Sequence, residues 1–216
     1  MTNQDTEGRL ARAGIIATLR APHRAGALAA VEAMVASGIT AIEVTYSTPD
    51  VVGVLDAILE RFGDAVHLGV GTLIHPAQVA ESAAAGAQFF VSPGFDREVY
   101  AAIRDVGGFA MIGAFTPTEV QTLIKHEVDV VKYFPGSIAG PAGLKALRGP
   151  FPQATYIPTG GVNPGNIGQW LAAGALAVGA GSELLPAAAL ASADVDALRL
   201  RGEDFVAALR AARSES

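Results

Sequence analysis

The sequence predicts one α/β domain folded as a (β/α)8 TIM barrel. Eight short apolar segments, each bounded by Gly, Pro or Thr, alternate with Ala-rich segments that have helical spacing. Strands that alternate with helices run parallel, because each crossover between them needs a helix. The 216 residues, half of them apolar, suffice for eight such units around a large core. An open, doubly wound sheet is the alternative, and it is disfavoured because no G-x-G-x-x-G motif follows the first strand.

The predicted strands are short apolar runs, and the segments between them carry helix start and stop signals. The strands are IIATL (15–19), AIEVTY (41–46), HLGVGT (67–72), QFFVS (88–92), FAMIGA (109–114), VVKYF (130–134), TYIPT (155–159) and LAVGA (176–180). Helix candidates such as PAQVAESAAAG and NPGNIGQWLAAG have Pro near the first turn and end on Gly. A final helix is expected over residues 194–212, and residues 1–10 are expected to be a loose N-terminal segment of a single domain spanning 1–216.

Composition excludes several classes of partner and site. The net charge of -6 gives no general attraction to nucleic acid or to an anionic membrane surface, so neither partner is expected. The absence of cysteine excludes disulfides and thiolate metal sites. The four histidines do not cluster at a metal-ligand spacing, so no metal or other cofactor is inferred. The start MTNQDTEGRL lacks the layout of a signal peptide, which predicts a cytoplasmic protein.

Lys132 stands inside the sixth predicted strand, where a charged side chain is costly. The chain has three lysines, and the other two lie on predicted helices. Burying an ammonium among apolar neighbours is unfavourable unless it is paired or neutralised, and a neutral amine is a nucleophile toward carbonyls. The alternative is a structural lysine whose ammonium reaches the end of the barrel.

Glu43 poses the same problem in the second predicted strand. Alternation places Ala41, Glu43 and Thr45 on one face and leaves the apolar residues between them to pack on the outer helices. The same rule gives Val130 and Lys132 a common face, so the carboxylate and the amine are expected to meet across the lumen. Glu43 would then act as a general acid and base. A buried salt bridge with no chemistry is the other interpretation.

Glycine-rich segments follow the last two predicted strands. PTGGV (158–162) ends the seventh strand and GAGS (179–182) ends the eighth. Barrels often bind phosphate with these two loops through backbone N–H groups, which makes Gly160, Gly161 and Ser182 candidates. Ordinary turns are the alternative interpretation of each motif taken alone.

Three further residues end early strands and are candidates for the same pocket. Arg20 follows the first strand and is expected to pair with a carboxylate or phosphate, unless it is simply exposed. Thr72 and Pro93 end the third and fourth strands. The alternative interpretation is that they only terminate these strands.

The ordered motifs LRAP, IEVT, GVGT, VSPG, TPTE, VVKYFPG, PTGG and GAGS resemble one known family. This is the bacterial 2-keto-3-deoxy-6-phosphogluconate aldolase family, which includes 4-hydroxy-2-oxoglutarate aldolases and 6-phosphogalactonate relatives. The resemblance runs from about Ile15 to Leu185. It implies a homotrimeric class I aldolase, without metal or cofactor, that binds a small phosphorylated 2-keto-3-deoxy acid and pyruvate. The expected reaction yields pyruvate and glyceraldehyde 3-phosphate from the gluconate, with 4-hydroxy-2-oxoglutarate as an additional substrate.

The resemblance also implies roles for individual residues. Lys132 matches the Schiff-base lysine of the family, and Glu43 matches the glutamate that handles protons. The remaining matches are the phosphate-binding positions Thr159, Gly160, Gly161 and Ser182, the pyruvate-pocket positions Thr72, Pro93 and Phe134, and Arg20, which matches an arginine found in many members.

One departure bears on the substrate. Some gluconate-type members read E-V-T-L-R-T after the second strand, and that arginine contacts substrate, whereas this chain has Ser47. Galactonate-type members also carry a small residue there with a proline nearby, as at Pro49. The PTGG motif favours the gluconate type. The alternatives to a gluconate aldolase are a 6-phosphogalactonate aldolase, a phosphosugar epimerase or isomerase, and a non-catalytic sugar-phosphate-binding barrel.

Overall fold

The computed structural model describes residues 2–214 as a parallel barrel surrounded by helices. Within this range eight strands pair in the order β7-β6-β5-β4-β3-β2-β1-β8, and every pairing is parallel. A single bridge between Thr159 and Gly179 joins the two ends of this order. The predicted (β/α)8 barrel is therefore confirmed, and the open doubly wound sheet is not formed.

All eight predicted strands occur, with ends that differ by at most two residues. They are β1 (Ile15–Leu19), β2 (Ala41–Thr45), β3 (His67–Gly71), β4 (Phe89–Ser92), β5 (Phe109–Ala114), β6 (Val130–Tyr133), β7 (Tyr156–Pro158) and β8 (Val178–Ala180). The helices are α1 (Asn3–Ala13), α2 (Arg24–Ser37), α3 (Val51–Phe62), α4 (Pro76–Ala84), α5 (Arg97–Asp105), α6 (Pro117–Lys125), α7 (Gly136–Arg148), α8 (Ile167–Ala172), α9 (Ala187–Ser192) and α10 (Val195–Ser214). In the described chain, no helix combines the length and apolarity that crossing a membrane requires.

Alternation along the strands separates an outer core from the barrel lumen. Residues such as Ile42 and Val44 pack outward in the large cluster between barrel and helices. A second, smaller cluster fills the lower lumen and is called here the basal layer. It consists of Leu10, Ile16, Ala41, Phe89, Val91, Phe109, Met111, Val130, Ile157 and Ala177. Glu43 and Lys132 follow Ala41 and Val130 by two residues, so they lie on the lumen face above this layer.

The N-terminal segment differs from its expectation. Residues 1–10 are expected to be loose, but the chain is helical from Asn3, and of these ten residues Met1 alone lies outside the described range. Thr2 and Asp5 form a capping box at the start of α1, and Leu10 is fully buried in the basal layer. The segment is mostly polar because α1 buries little besides Thr6 and Leu10. This narrow buried face is why hydrophobic periodicity does not reveal the helix.

The lower end of the lumen also contains a histidine held in a defined orientation. His67 begins β3, and its Nδ1 lies 2.7 Å from Oε1 of Gln88. The same oxygen accepts the Leu68 backbone N–H at 3.2 Å, so the imidazole donates through Nδ1. Burial lowers the pKa of His67. The imidazole is therefore neutral at pH 7 and adds no charge to the barrel base.

Candidate active site

A pocket of about 470 Å³ opens at the carboxyl ends of the strands. This is the end of a (β/α)8 barrel where the βα loops converge and active sites form. All ten site residues predicted from the sequence line this pocket. They are Arg20, Glu43, Thr72, Pro93, Lys132, Phe134, Thr159, Gly160, Gly161 and Ser182.

Lys132 and Glu43 meet across the lumen at the bottom of the pocket. Nζ of Lys132 lies 3.3 Å from Oε1 of Glu43. The lysine side chain is 6% exposed and the glutamate side chain is fully buried. β2 and β6 lie on opposite sides of the barrel, so the two groups meet because both strands turn these positions inward. A buried ion pair is costly to desolvate and is weak evidence of a stabilising role, which favours a chemical function.

The walls around the amine are apolar or sterically constrained. The ring of Phe134 has its centroid 5.4 Å from Nζ of Lys132, within range of a cation–π contact. Thr72 has a φ of 63°, a left-handed conformation that is unusual for a β-branched residue. Strain of this kind tends to persist where the surrounding structure needs a side chain in one place. Gly113 is the partner of Lys132 in the pairing of β5 with β6. Because it has no side chain, it leaves room for the carbonyl of Pro93, which a Cβ atom would overlap.

Four charged side chains line the pocket, two positive and two negative, so their formal charges sum to zero. Lys132 and Glu43 face each other, while Arg20 and Glu183 are exposed. Arg20 makes no ion pair with any carboxylate of residues 2–214. It is therefore the pocket cation left to bind an anionic group. The same described residues contain no group of three or more His, Asp or Glu side chains arranged to hold a metal ion.

The loops after β7 and β8 form the other end of the pocket. Gly160 and Gly161 have φ values of 98° and 73°, which side chains other than glycine adopt only with strain. The hydroxyl of Thr159 is buried and has no hydrogen-bond partner among the described residues. A buried hydroxyl without a partner is unfavourable, so a ligand oxygen at this position would satisfy it. Ser182 is exposed and lines the same pocket.

Ser47, the residue at the departure from the gluconate-type motif, is not among the residues that line the pocket. Its hydroxyl lies 2.8 Å from that of Thr45, which in turn donates to the Leu19 carbonyl at 3.1 Å. The serine thus belongs to a hydrogen-bonded link between the ends of β1 and β2.

Sequence reasoning missed eight lining residues. They are Thr18, Thr45, Val162, Gly181, Glu183, Leu185, Ala187 and Leu190. Thr18 carried a usable signal, since it is the polar residue on the lumen face of β1, two positions after Ile16. Glu183 directly follows Ser182, but nothing in its local pattern separates a pocket residue from an exposed one.

Known aldolases match this chain over most of its length. The family model for KDPG and KHG aldolases matches residues 6–200. A 2-dehydro-3-deoxy-6-phosphogalactonate aldolase of Escherichia coli K12 is 36% identical over 79% of this chain and 83% of its own length. The KHG/KDPG aldolase of the same organism is also 36% identical, over 76% of this chain and 78% of its own length.

A solved structure extends the likeness to the fold. KDPG aldolase from Legionella pneumophila, captured with pyruvate as a covalent carbinolamine intermediate, superimposes with a TM-score of 0.83. It is 31% identical, and the match covers 94% of this chain and 97% of that one. The chain therefore belongs to the KDPG and KHG aldolase family of carbon–carbon lyases.

Proposed function

We propose that the protein cleaves 2-dehydro-3-deoxy-6-phosphogluconate to pyruvate and glyceraldehyde 3-phosphate through a Schiff base on Lys132. The observation that carries the proposal is the buried contact between Nζ of Lys132 and Oε1 of Glu43 inside the pocket. In the proposed reaction these two groups are the nucleophile and the proton acceptor, and they lie within one hydrogen bond of each other. Lys125 and Lys145 are exposed on α6 and α7 and lack such a partner.

Lys132 supplies the nucleophile. Transfer of a proton from Nζ to Glu43 leaves a neutral amine, which attacks the C2 ketone of the substrate. The resulting carbinolamine loses water and becomes an iminium ion. The iminium accepts the electron pair of the C3–C4 bond when that bond breaks. Cleavage therefore yields a neutral enamine instead of an unstable carbanion. The carbinolamine reported for the Legionella relative is the corresponding intermediate in that protein.

Glu43 moves the protons of the cycle. As a carboxylate it takes the proton of the C4 hydroxyl, which becomes the aldehyde oxygen as C3–C4 breaks. As a carboxylic acid it assists loss of water from the carbinolamine and, after C3–C4 has broken, gives a proton to C3 of the enamine, which becomes the imine of pyruvate. As a carboxylate again, it activates water for hydrolysis of that imine. Its position beside Nζ puts one carboxylate within reach of each of these steps.

The far end of the pocket is proposed to hold the phosphate. Backbone N–H groups of Gly160 and Gly161, with the hydroxyls of Thr159 and Ser182, would bind its oxygens. Arg20 supplies a positive charge in a protein whose net charge is -6. Binding energy gained at this end would orient the reacting carbons over Lys132.

Reduction of the imine tests the proposal. Borohydride added to the protein with pyruvate should fix a reduced pyruvyl group on Lys132, and peptide mass spectrometry should locate it there. Lys125 and Lys145 are internal controls, since the chain has only these three lysines. A phosphosugar epimerase, an isomerase or a non-catalytic binding barrel would gain no adduct, so an unmodified Lys132 rejects the aldolase mechanism.

The second candidate is the 2-dehydro-3-deoxy-6-phosphogalactonate aldolase, an epimer-specific activity of the same family. Ser47 favours the galactonate activity. Gluconate-type members carry at this position an arginine that contacts substrate, whereas Ser47 does not line the pocket. The two Escherichia coli relatives are equally similar at 36% identity. Comparing kcat/KM for the two epimers decides between them. Cleavage of 4-hydroxy-2-oxoglutarate without cleavage of either phosphorylated acid would reject the phosphate assignment.

Gly71 is predicted to be necessary for this chemistry. A Cβ atom at this position would fall against Oε1 of Glu43, far inside contact distance. Overpacking of this kind costs about 1–3 kcal/mol in the core, and displacing a reacting group by about 1 Å can cost about 100-fold in rate. Gly71→Ala should therefore lose at least about tenfold in kcat, measured by coupled pyruvate release. Gly94→Ala is the control, because a Cβ at Gly94 meets nothing within 4 Å. Equal rates for the two variants would contradict the prediction.

We also propose that the protein assembles as a homotrimer. Ile74, in the loop after β3, is 53% exposed, and Ile138, in the first turn of α7, is 69% exposed. Both follow the carboxyl ends of strands, on the face that contains the pocket. Contiguous exposed apolar patches are typical of association surfaces, and we propose that these two side chains belong to such a patch.

Ile138→Glu is expected to break this assembly. A carboxylate placed in an apolar interface loses hydration without gaining a partner, so the trimer should dissociate toward monomers at micromolar concentration. Sedimentation velocity measures the change. Leu200→Glu on α10, where the native side chain is 55% exposed, should leave the assembly intact. A wild-type monomer, or dissociation by both variants, would reject the proposed interface.

A further inference from the structure

Glu43 has a second hydrogen bond, made by its other oxygen. Oε1 faces Nζ of Lys132, while the hydroxyl of Thr18 lies 3.2 Å from Oε2. An ionised carboxylate only accepts hydrogen bonds, so Thr18 is the donor. Among residues 2–214, these are the two side-chain bonds recorded for Glu43.

The backbone fixes Thr18 in this position. Thr18 and Glu43 are partners in the parallel pairing of β1 with β2, and both face the lumen. A second bond, from the hydroxyl of Thr45 to the Leu19 carbonyl at 3.1 Å, ties the same two strands one step further along. The Thr18 hydroxyl therefore approaches Glu43 from a rigid element and not from a loop.

The two hydrogen bonds of Glu43, to Lys132 and to Thr18, differ in how long they persist during the proposed reaction. When Nζ of Lys132 bonds to C2 of the substrate, it ceases to be an ammonium and can no longer hold Oε1 in the same way. Thr18 takes no part in the covalent steps, so its bond to Oε2 persists from the free protein to the imine. Gly71 lies beside Oε1, and its missing side chain leaves the space that this oxygen occupies.

We infer that Thr18 is a positioning residue for Glu43. By holding Oε2, it keeps Oε1 directed at the reacting atoms after Lys132 has become part of the imine. The inference rests on the proposed function, because it concerns the proton transfers of the Schiff-base cycle. Thr18 itself transfers no proton and forms no bond to substrate in this scheme.

Variants at Thr18 test the inference. Thr18→Val keeps the shape of the side chain and removes the donor. A hydrogen bond to a charged group contributes enough that its loss should lower kcat roughly 10- to 100-fold, with little change in KM. Thr18→Ser keeps the hydroxyl and should retain at least about a third of the wild-type kcat. A purely structural role for Thr18 would not predict that kcat falls while KM stays nearly unchanged. It would also not predict that serine restores the activity that valine loses.

Two measurements without the full substrate separate positioning from misfolding. In deuterated water, exchange of the pyruvate methyl protons requires the imine and a working base but no phosphate contact. Thr18→Val should slow this exchange by a factor similar to its loss in kcat. Borohydride trapping after long incubation with saturating pyruvate should still modify Lys132 fully, because it reports the equilibrium imine and not its rate of formation. Thr18→Ala serves if the valine variant does not fold.

The outcomes distinguish this inference from the proposed function. If the wild-type protein neither traps pyruvate nor cleaves the substrate, the proposed function fails and the inference fails with it. If the wild type does both while the Thr18→Val variant keeps the wild-type kcat and exchange rate, the inference alone is overturned. Equal losses in the valine and serine variants would also overturn it, since the hydroxyl would then be irrelevant.

Discussion

Lys132→Met is expected to abolish cleavage and to destabilise the fold. Loss of a covalent nucleophile typically removes about 10⁴-fold or more of the rate. Methionine also leaves the fully buried Glu43 without its partner, and breaking a buried ion pair by removing one member costs about 3–5 kcal/mol. Pyruvate release measures the first effect, and urea unfolding measures the second. Lys145→Met, at an exposed position on α7, is the matched control and should change neither.

The double variant Lys132→Met/Glu43→Gln separates the two effects. Replacing both charges by neutral groups removes the uncompensated carboxylate, so stability should recover by at least about 1 kcal/mol relative to Lys132→Met. Activity should not recover, because the amine is still missing. A double variant no more stable than the single one would mean that Glu43 is not buried as a charge.

Glu43→Gln is expected to have the second largest effect, lowering kcat about 10²- to 10⁴-fold. The amide has nearly the shape of the carboxylate and can still meet Thr18, but it cannot accept a proton from the C4 hydroxyl. KM should change less than kcat, since Glu43 lies at the bottom of the pocket beside the reacting atoms. Steady-state kinetics on the preferred epimer gives both parameters.

The control for this variant is Glu98→Gln, an exposed glutamate in the first turn of α5 outside the pocket. It should retain the wild-type kcat within about twofold, because surface substitutions of this kind shift stability by only about 0.5 kcal/mol. Slow borohydride trapping in Glu43→Gln, with the same final yield as the wild type, would place the defect in proton transfer. A kcat within fivefold of the wild type would show that another group handles the protons.

The barrel was predictable from sequence because each strand is buried on both faces and reads as a short apolar run between turn residues. Glu43 and Lys132 stood out for the same reason, since a charged residue inside such a run is hard to explain by packing. The strand ends were harder to place. β2 ends at Thr45 and β8 begins at Val178, although the apolar run extends beyond each of these residues to Tyr46 and to Leu176.

Other features depend on contacts that no local pattern carries. α1 buries a narrow face, so its docking against the barrel base through Leu10 appears only in three dimensions. The bond from Thr18 to Glu43 joins residues 25 positions apart and depends on the register of two strands. The left-handed backbone conformation of Thr72 could not be predicted from sequence, because β-branched residues rarely adopt a positive φ.

The basal layer has a consequence for the order of events in the catalytic cycle. Its buried apolar side chains, with Leu10 from α1 at the base, separate Lys132 from the lower end of the barrel and offer a water molecule no hydrogen-bond partner there. Both substrate and hydrolytic water must then arrive through the upper opening, and they compete for it. In the proposed cycle pyruvate is still bonded to Lys132 when C3–C4 breaks, so we expect glyceraldehyde 3-phosphate to leave first, water to enter the space that it vacates, and pyruvate to depart last.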